Sequence, residues 1–408
     1  MTRSRRTTAA VLLTLTLPLG AATTITAPPS AAADRTAADR TAADRTAADQ
    51  TVAIPRPTGR HAVGRDVLHL VDEKRRDPWV PAAGARELMV SMYYPARGGG
   101  DAVPYMTVEE AALLLKGLKL DTAYTAAQLS NVRVNARSGA RPAAGRHPLV
   151  LLSPGFTLNR ATLTTLAEEL ASKGYVVALV DHAYESFGAA FPGGRTLTCV
   201  ACRTIESAPT DAAGRELLAK TARGRAADLS FVIGELTRTG GHRPSWKRWK
   251  MIDPRRIGAA GHSLGGNAAA TVMAADRRVR AGANLDGTFF APIPASGLGR
   301  RPLLMIGTKA GHSPGSADQT WRQAWQRLDG WKRWLTVADS GHFTFIDLPV
   351  LGGQLGMTDP SAPLPGKRSG EITRAYVGAF FDRHLRGERE PLLDGPSAAN
   401  PEVAFQNP

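Results

Sequence analysis

GAAGHSLGG, residues 258–266, follows Arg256-Ile257 and leads into the small-residue stretch Asn267-Ala268-Ala269-Ala270. Within it Gly261-His262-Ser263-Leu264-Gly265 fits G-x-S-x-G, a turn in which glycines two residues either side of the serine let a strand and a helix pack closely. The spacing predicts a strand over 256–263, a sharp turn at Ser263 and a helix beyond it. A serine there has its hydroxyl at a helix N-terminus, where the backbone dipole favours developing negative charge.

The segments around this turn set the fold class. Apolar runs at HPLVLLSPG (147–155), YVVALVDH (175–182), RIGAAGHS (256–263), VRAGANLDG (279–287) and RPLLMIGT (301–308) read as buried parallel strands, with WLTVADSGH (334–342) as the last. DVLHLVD (66–72) and ELMVSMYYPA (87–96) read as an opening antiparallel pair. Helical spacing over 160–173, where Leu163, Leu166 and Leu170 recur before Gly174, and over 213–237 and 371–386 interleaves with them. Strands alternating with helices predict an α/β fold, a mostly parallel central sheet covered on both faces. Residues 107–130 read as an inserted helical stretch, either a lid near a pocket mouth or an ordinary packing helix.

A serine nucleophile needs a base, and the base belongs on the loop after the last strand. Of the nine histidines, His342 in ADSGHFTFID stands there. His262 is the x of the turn and His182 the tip of an earlier strand, while His312 in AGHSPG reads as solvent-exposed. An acid must then orient the base. Asp286 ends the strand AGANL and preserves the order serine, acid, histidine. Asp318 reads as part of a following helix, Asp339 is too near His342 on one loop, and Asp347 lies in the packed FTFID. Two N–H groups for an oxyanion are expected from Leu264, the residue after the serine, and from Phe156, in the Ser153-Pro154-Gly155-Phe156 loop.

The order LHLVD, RELMVSMYYPA, LVLLSPGF, GYVVALVDHAYES, RIGAAGHSLGGNAAA, NLDG and GHFTF resembles the plasma-type platelet-activating factor acetylhydrolase family, over roughly residues 60–390. These are α/β-hydrolases akin to secreted bacterial lipases and polyester hydrolases. The resemblance implies a cofactor-free, calcium-independent serine esterase in which Ser263, Asp286 and His342 match the triad and Phe156 and Leu264 the oxyanion positions. Its members favour short or oxidised acyl chains on phospholipids, and others take simple esters or triglycerides. Ser-Pro-Gly stands here where the best-studied members carry a histidine before the glycine, a difference that bears on substrate choice and not on reaction type. The alternatives on this fold are a triglyceride lipase or polyester hydrolase, then an acyltransferase, a peptidase or a non-catalytic binding protein.

The rest of the chain sets the context. At 408 residues and 43% hydrophobic content it is long enough for one large catalytic domain. Arg3, Arg5 and Arg6 precede AVLLTLTLPLG, and Ala31-Ala32-Ala33 offers a cleavage site, so residues 1–33 read as a signal peptide and the mature chain as secreted. Ser4-Arg5-Arg6 hints at twin-arginine export, but the residues after it do not strengthen that, and general secretion is the expectation. Residues 34–58, with the TAADR repeat, read as a disordered leader, 59–392 as the catalytic domain and 393–408 as a tail. The net charge of +15 is spread from Arg56 to Arg389 with no basic cluster among aromatics, which predicts solvated surface and no nucleic-acid partner. The expected partners are an ester or phospholipid substrate and transient contact with lipid surfaces, with no obligate protein partner. No H-E-x-x-H or G-x-x-x-x-G-K-[ST] motif occurs, so no metal or nucleotide is expected. Cys199 and Cys202 read as a small structural disulfide or two free thiols.

Overall fold

The computed structural model describes residues 52–237 and 244–408. The expected signal peptide and TAADR repeat lie outside the described residues.

Nine strands carry the main sheet: β1 Ala62–Arg76, β2 Ala85–Gly98, β3 His147–Ser153, β4 Val176–His182, β5 Ile252–His262, β6 Val279–Leu285, β7 Leu303–Thr308, β8 Lys332–Val337 and β9 Val403–Gln406. Their order across the sheet is β9-β8-β7-β6-β5-β3-β4-β2-β1, with short strands at 137–138 and 101–102 beyond β1 and a third, at 141–142, paired with β2. From β4 to β8 the pairing is parallel, while β1 pairs antiparallel with β2, β2 with β4 and β9 with β8, and the short strand at 137–138 lies parallel to β1.

Why the central strands are apolar throughout follows from their two covered faces. Along β3, Val150 and Leu152 face one core while Leu149 and Leu151 face the other. Leu304 and Ile306 against Leu303 and Met305 repeat the division on β7. The first core lies under the helices α1 Val108–Leu118, α2 Thr164–Ser172 and α6 Gly366–Phe381; the second lies under α3 Asp211–Leu236, α4 Leu264–Ala275 and α5 Thr320–Arg327. α1 is opened by a capping box, Thr107 with Glu110, and sends Ala111, Leu114 and Leu115 into the first core, the packing role of the two considered for 107–130. Among the described residues no helix is long and apolar enough to cross a membrane.

The folded region reaches beyond the expected 59–392. Val52 and Ile54 are buried and exchange backbone hydrogen bonds with Arg133, so the segment assigned to the leader is ordered from Val52. The expected tail ends in β9, which pairs antiparallel with β8, Val403 opposite Val337 and Phe405 opposite Leu335. A four-residue strand after a polar run carries too little periodicity to be read locally; β8 supplies the partner that makes it a strand.

A buried ionic cluster locks the antiparallel flank to the rest. Arg86 on β2, 1% exposed, donates to Asp77 at 2.7 Å and to Glu185 and Asp228 at 2.8 Å each, and to the Ala183 carbonyl. Burial would raise the Asp228 carboxyl, but Arg86 and His182 outweigh it and hold Asp228 well below the usual carboxylate range. Removing one member of such a cluster strands the others without water. Arg86→Met is therefore expected to lower unfolding stability by about 3–5 kcal/mol, read as a shift of the denaturant midpoint; an unshifted midpoint would show that the cluster adds nothing to stability.

Candidate active site

Strand register assembles the site. His262 on β5 lies opposite Leu285 on β6, so the next residues, Ser263 and Asp286, leave the sheet side by side. The Ser263 N–H donates to the Leu285 carbonyl at 2.8 Å and the Asp286 N–H to the Ile306 carbonyl at 2.8 Å. Ser263 has φ 55° and ψ −125°, a left-handed conformation that costs a non-glycine residue about 1–3 kcal/mol and persists only where its surroundings impose it. The glycines make those surroundings possible: a Cβ on Gly265 would stand 2.0 Å from the Ser153 carbonyl oxygen, and one on Gly261 2.4 Å from the Gly265 backbone.

The structure brings Ser263, His342 and Asp286 together. His342 opens a short turn after β8 and places Nε2 2.9 Å from Ser263 Oγ and Nδ1 2.6 Å from Asp286 Oδ2. Asp286 is 2% exposed. Burial opposes its charge, yet hydrogen bonds from His312 and His342 prevail and hold it well below the carboxylate range. The rival acids are elsewhere: Asp339 is exposed, and Asp347 is buried against the Thr165 N–H and the Tyr105 hydroxyl, its carboxyl pushed up to about 7 chiefly by burial.

The rival histidines are accounted for. His262 is fully buried with Nε2 2.7 Å from the His342 carbonyl oxygen, which makes it a donor there; burial and the neighbouring His342 lower it to about 3, so it stays neutral. His182 is buried between Ser153 Oγ, 3.0 Å from Nε2, and Asp228 Oδ2, 2.8 Å from Nδ1.

His312, expected in solvent, is instead buried and bound to the same carboxylate as His342. Its Nδ1 lies 2.6 Å from Asp286 Oδ1, the oxygen that also accepts the Thr308 N–H at 2.7 Å, and its ring stacks on Trp321 with centroids 4.3 Å apart. Asp318, expected inside the following helix, stands two residues before α5, where it accepts from the Thr320 N–H and approaches His312 Nε2 at 3.3 Å. AGHSPG has the composition of a surface loop; the tryptophans that cover it, Trp321 and Trp334, come from later elements, so no local signal marks the burial.

Phe156 and Leu264, the expected oxyanion donors, are neighbours in space. Both pack in one apolar cluster with Ala222 and Ala291, edged by Leu218 and Phe290. Among the described residues neither N–H donates to another backbone group. The loop that carries Phe156 is tied down from below by Arg225, whose Nη1 donates to the Pro154 carbonyl at 2.6 Å while Nε donates to Glu185 at 2.7 Å. From above it meets Cys199 and Cys202, which form a disulfide and pack with Trp79 against Phe156. Arg225 lies 69 positions beyond the loop it braces, a contact no spacing rule reaches.

Residues 46–192 match the family model described as platelet-activating factor acetylhydrolase, isoform II. A solved ferulic acid esterase from Streptomyces cinnamoneus is 42% identical, aligns over 88% of this chain and 100% of its own, and superposes with a TM-score of 0.76. Over residues 46–192 the chain is similar to the isoform II platelet-activating factor acetylhydrolase family. It has the α/β-hydrolase fold and is a carboxylic-ester hydrolase. A probable 1-alkyl-2-acetylglycerophosphocholine esterase of Arthroderma benhamiae is 29% identical over 86% of this chain and 93% of its own. A platelet-activating factor acetylhydrolase of Cavia porcellus is 22% identical over 59% of this chain and 58% of its own, so the chain spans under two thirds of that relative's length.

Proposed function

We propose that the protein is an exported serine esterase that works through an acyl-enzyme on Ser263, with His342 as base, Asp286 as its acid, and the N–H groups of Leu264 and Phe156 as oxyanion donors. The unbroken path from Ser263 Oγ to His342 at 2.9 Å and on to Asp286 at 2.6 Å is the observation that supports this reading.

As Oγ attacks the ester carbonyl carbon, His342 Nε2 takes the hydroxyl proton while its Nδ1–H stays on Asp286, which stabilises the imidazolium. The carbonyl oxygen becomes an oxyanion between Leu264 and Phe156; one such donor is worth roughly 10²–10³ in turnover. Collapse breaks the bond to the alkoxide, which leaves with the proton from His342, and the acyl group remains on Ser263. A water then yields a proton to His342 as it attacks the acyl carbon, and the carboxylic acid departs as Ser263 recovers its hydrogen. A fluorophosphonate should label the wild-type protein once and leave Ser263→Ala unlabelled, and Asp286→Asn should lose on the order of 10⁴ in turnover. Persistent labelling of Ser263→Ala, or an Asp286→Asn enzyme of near-normal rate, would remove the assignment.

The substrate reading is a short acyl ester, simple or on a phospholipid, in the manner of the acetylglycerophosphocholine esterase relatives, with triglyceride and polyester as alternatives. A second reading, an aromatic acyl ester, is favoured by half-buried Phe156 and Phe290 beside Leu264 and by the 42% identity to a ferulic acid esterase. A panel of p-nitrophenyl esters of rising chain length, a phospholipid acetylated at its middle position, and methyl ferulate separates them by kcat/KM. Highest values on the acetyl substrates support the first reading, and a clear preference for methyl ferulate replaces it with the second.

Export is supported by the arginine-flanked apolar run before Ala31-Ala32-Ala33 and by the Cys199–Cys202 disulfide, since disulfides persist in oxidising compartments. N-terminal sequencing of protein from culture medium should begin near Asp34; an intact Met1 on a cytoplasmic product would refute it.

A further inference from the structure

Asp286 serves two histidines. Its Oδ2 receives His342, while its Oδ1 receives the Thr308 N–H and, at 2.6 Å, Nδ1 of His312. The far side of His312 meets a second carboxylate, Asp318 Oδ2, 3.3 Å from Nε2. Asp318 is itself fixed, accepting from the Thr288 hydroxyl at 2.7 Å and from the Thr320 N–H and hydroxyl at 2.9 and 2.6 Å. The His312 ring lies flat on Trp321, and the Trp334 indole N–H holds its backbone carbonyl at 2.7 Å.

This arrangement decides the protonation of the ring. A neutral imidazole has one N–H and one lone pair, and either tautomer would aim that lone pair at a carboxylate oxygen. Only the doubly protonated ring satisfies both contacts. The groups facing it are Asp286 from the end of β6, Asp318 from the approach to α5, the two indoles and, across Asp286, His342; Lys309 stands on its own turn. Burial works against the charge, but the hydrogen bonds to Asp286 and Asp318 outweigh it and raise His312 to about 9, so the ring is an imidazolium through the neutral range.

We propose that His312 is a positioning residue for ester hydrolysis: its imidazolium, clamped between Asp318 and Asp286, fixes the carboxylate rotamer that His342 needs and keeps the acid limb of the pH–rate profile at lower pH than Asp286 alone would. The positive ring is nearer to Asp286 than Asp318 is, so it draws on the carboxylate and leaves less negative charge to hold a proton on the base. A carboxylate bound from one side only could also turn its oxygens, whereas Thr308 and His312 together leave Oδ2 free for His342.

The inference rests on the reading of Ser263, His342 and Asp286 as the catalytic set, and the experiment keeps the two apart. The pH dependence of kcat/KM on p-nitrophenyl acetate is compared for wild type, His312→Gln and Asp318→Asn, each normalised by fluorophosphonate titration of active sites. His312→Gln keeps a neutral donor for Asp286 and should move the acid limb up by about one pH unit, the scale on which a neighbouring charge acts. Asp318→Asn leaves the ring charged in the acid range and should move the limb downward or not at all. A limb that stays in place in His312→Gln, or rises equally in both variants, overturns the proposal. Nitrogen-15 spectra of the histidine-labelled wild-type enzyme at neutral pH should show both His312 nitrogens protonated, a readout that needs neither turnover nor a folded variant. A neutral ring there in a normally labelled enzyme overturns this inference and leaves the catalytic reading standing, whereas failure of labelling at Ser263 strikes the catalytic reading itself.

Discussion

The site is organised around one buried carboxylate. An ionised Asp286 deprived of water is tolerable only if its oxygens are hydrogen-bonded on several sides, and the structure supplies the Thr308 N–H, His312 and His342. Each of these donors comes from a different place in the sheet: the end of β7, the turn after it, and the loop after β8. The need to satisfy one charge thus couples three strand ends, and the position of His342 over Ser263 follows from it.

Ser263 is held by a different kind of force. Its left-handed backbone is imposed by close contact of the 261–265 turn with Ser153 and Pro154, where even a methyl group would collide. The same contact brings the 153–156 loop against the first turn of α4. Arg225 beneath that loop and the Cys199–Cys202 disulfide with Trp79 above it leave Phe156 little freedom. In the proposed mechanism, donors aimed in advance at developing charge need no reorganisation during reaction, and Arg225 would then serve the oxyanion site as well as stability.

Arg86 and Arg225 share Glu185, so the cluster that fixes β2 to α3 also reaches the loop carrying Phe156. Stability of the antiparallel flank and geometry of the proposed oxyanion site are therefore not independent. A change at Arg86 would be felt at Pro154 through two side chains.

Much was legible in the sequence because it depends on local rules. The all-apolar strands declared a sheet buried on both faces, since successive side chains point to opposite sides. The glycines about Ser263 declared a tight strand-to-helix turn, and position at a strand end, together with the order serine, acid, histidine, singled out Asp286 and His342. What lacked a local signal was decided by tertiary contact. β9 is a strand because β8 offers an edge, and Val52 and Ile54 are ordered because Arg133 lies beside them. His312 sits in a stretch with the letters of a surface turn, and only the packing of Trp321 and Trp334 over it creates its burial and its two carboxylate partners. Periodicity and turn chemistry act over a few residues and can be read from them; desolvation and charge pairing depend on which distant groups converge, and no short stretch of sequence contains that information.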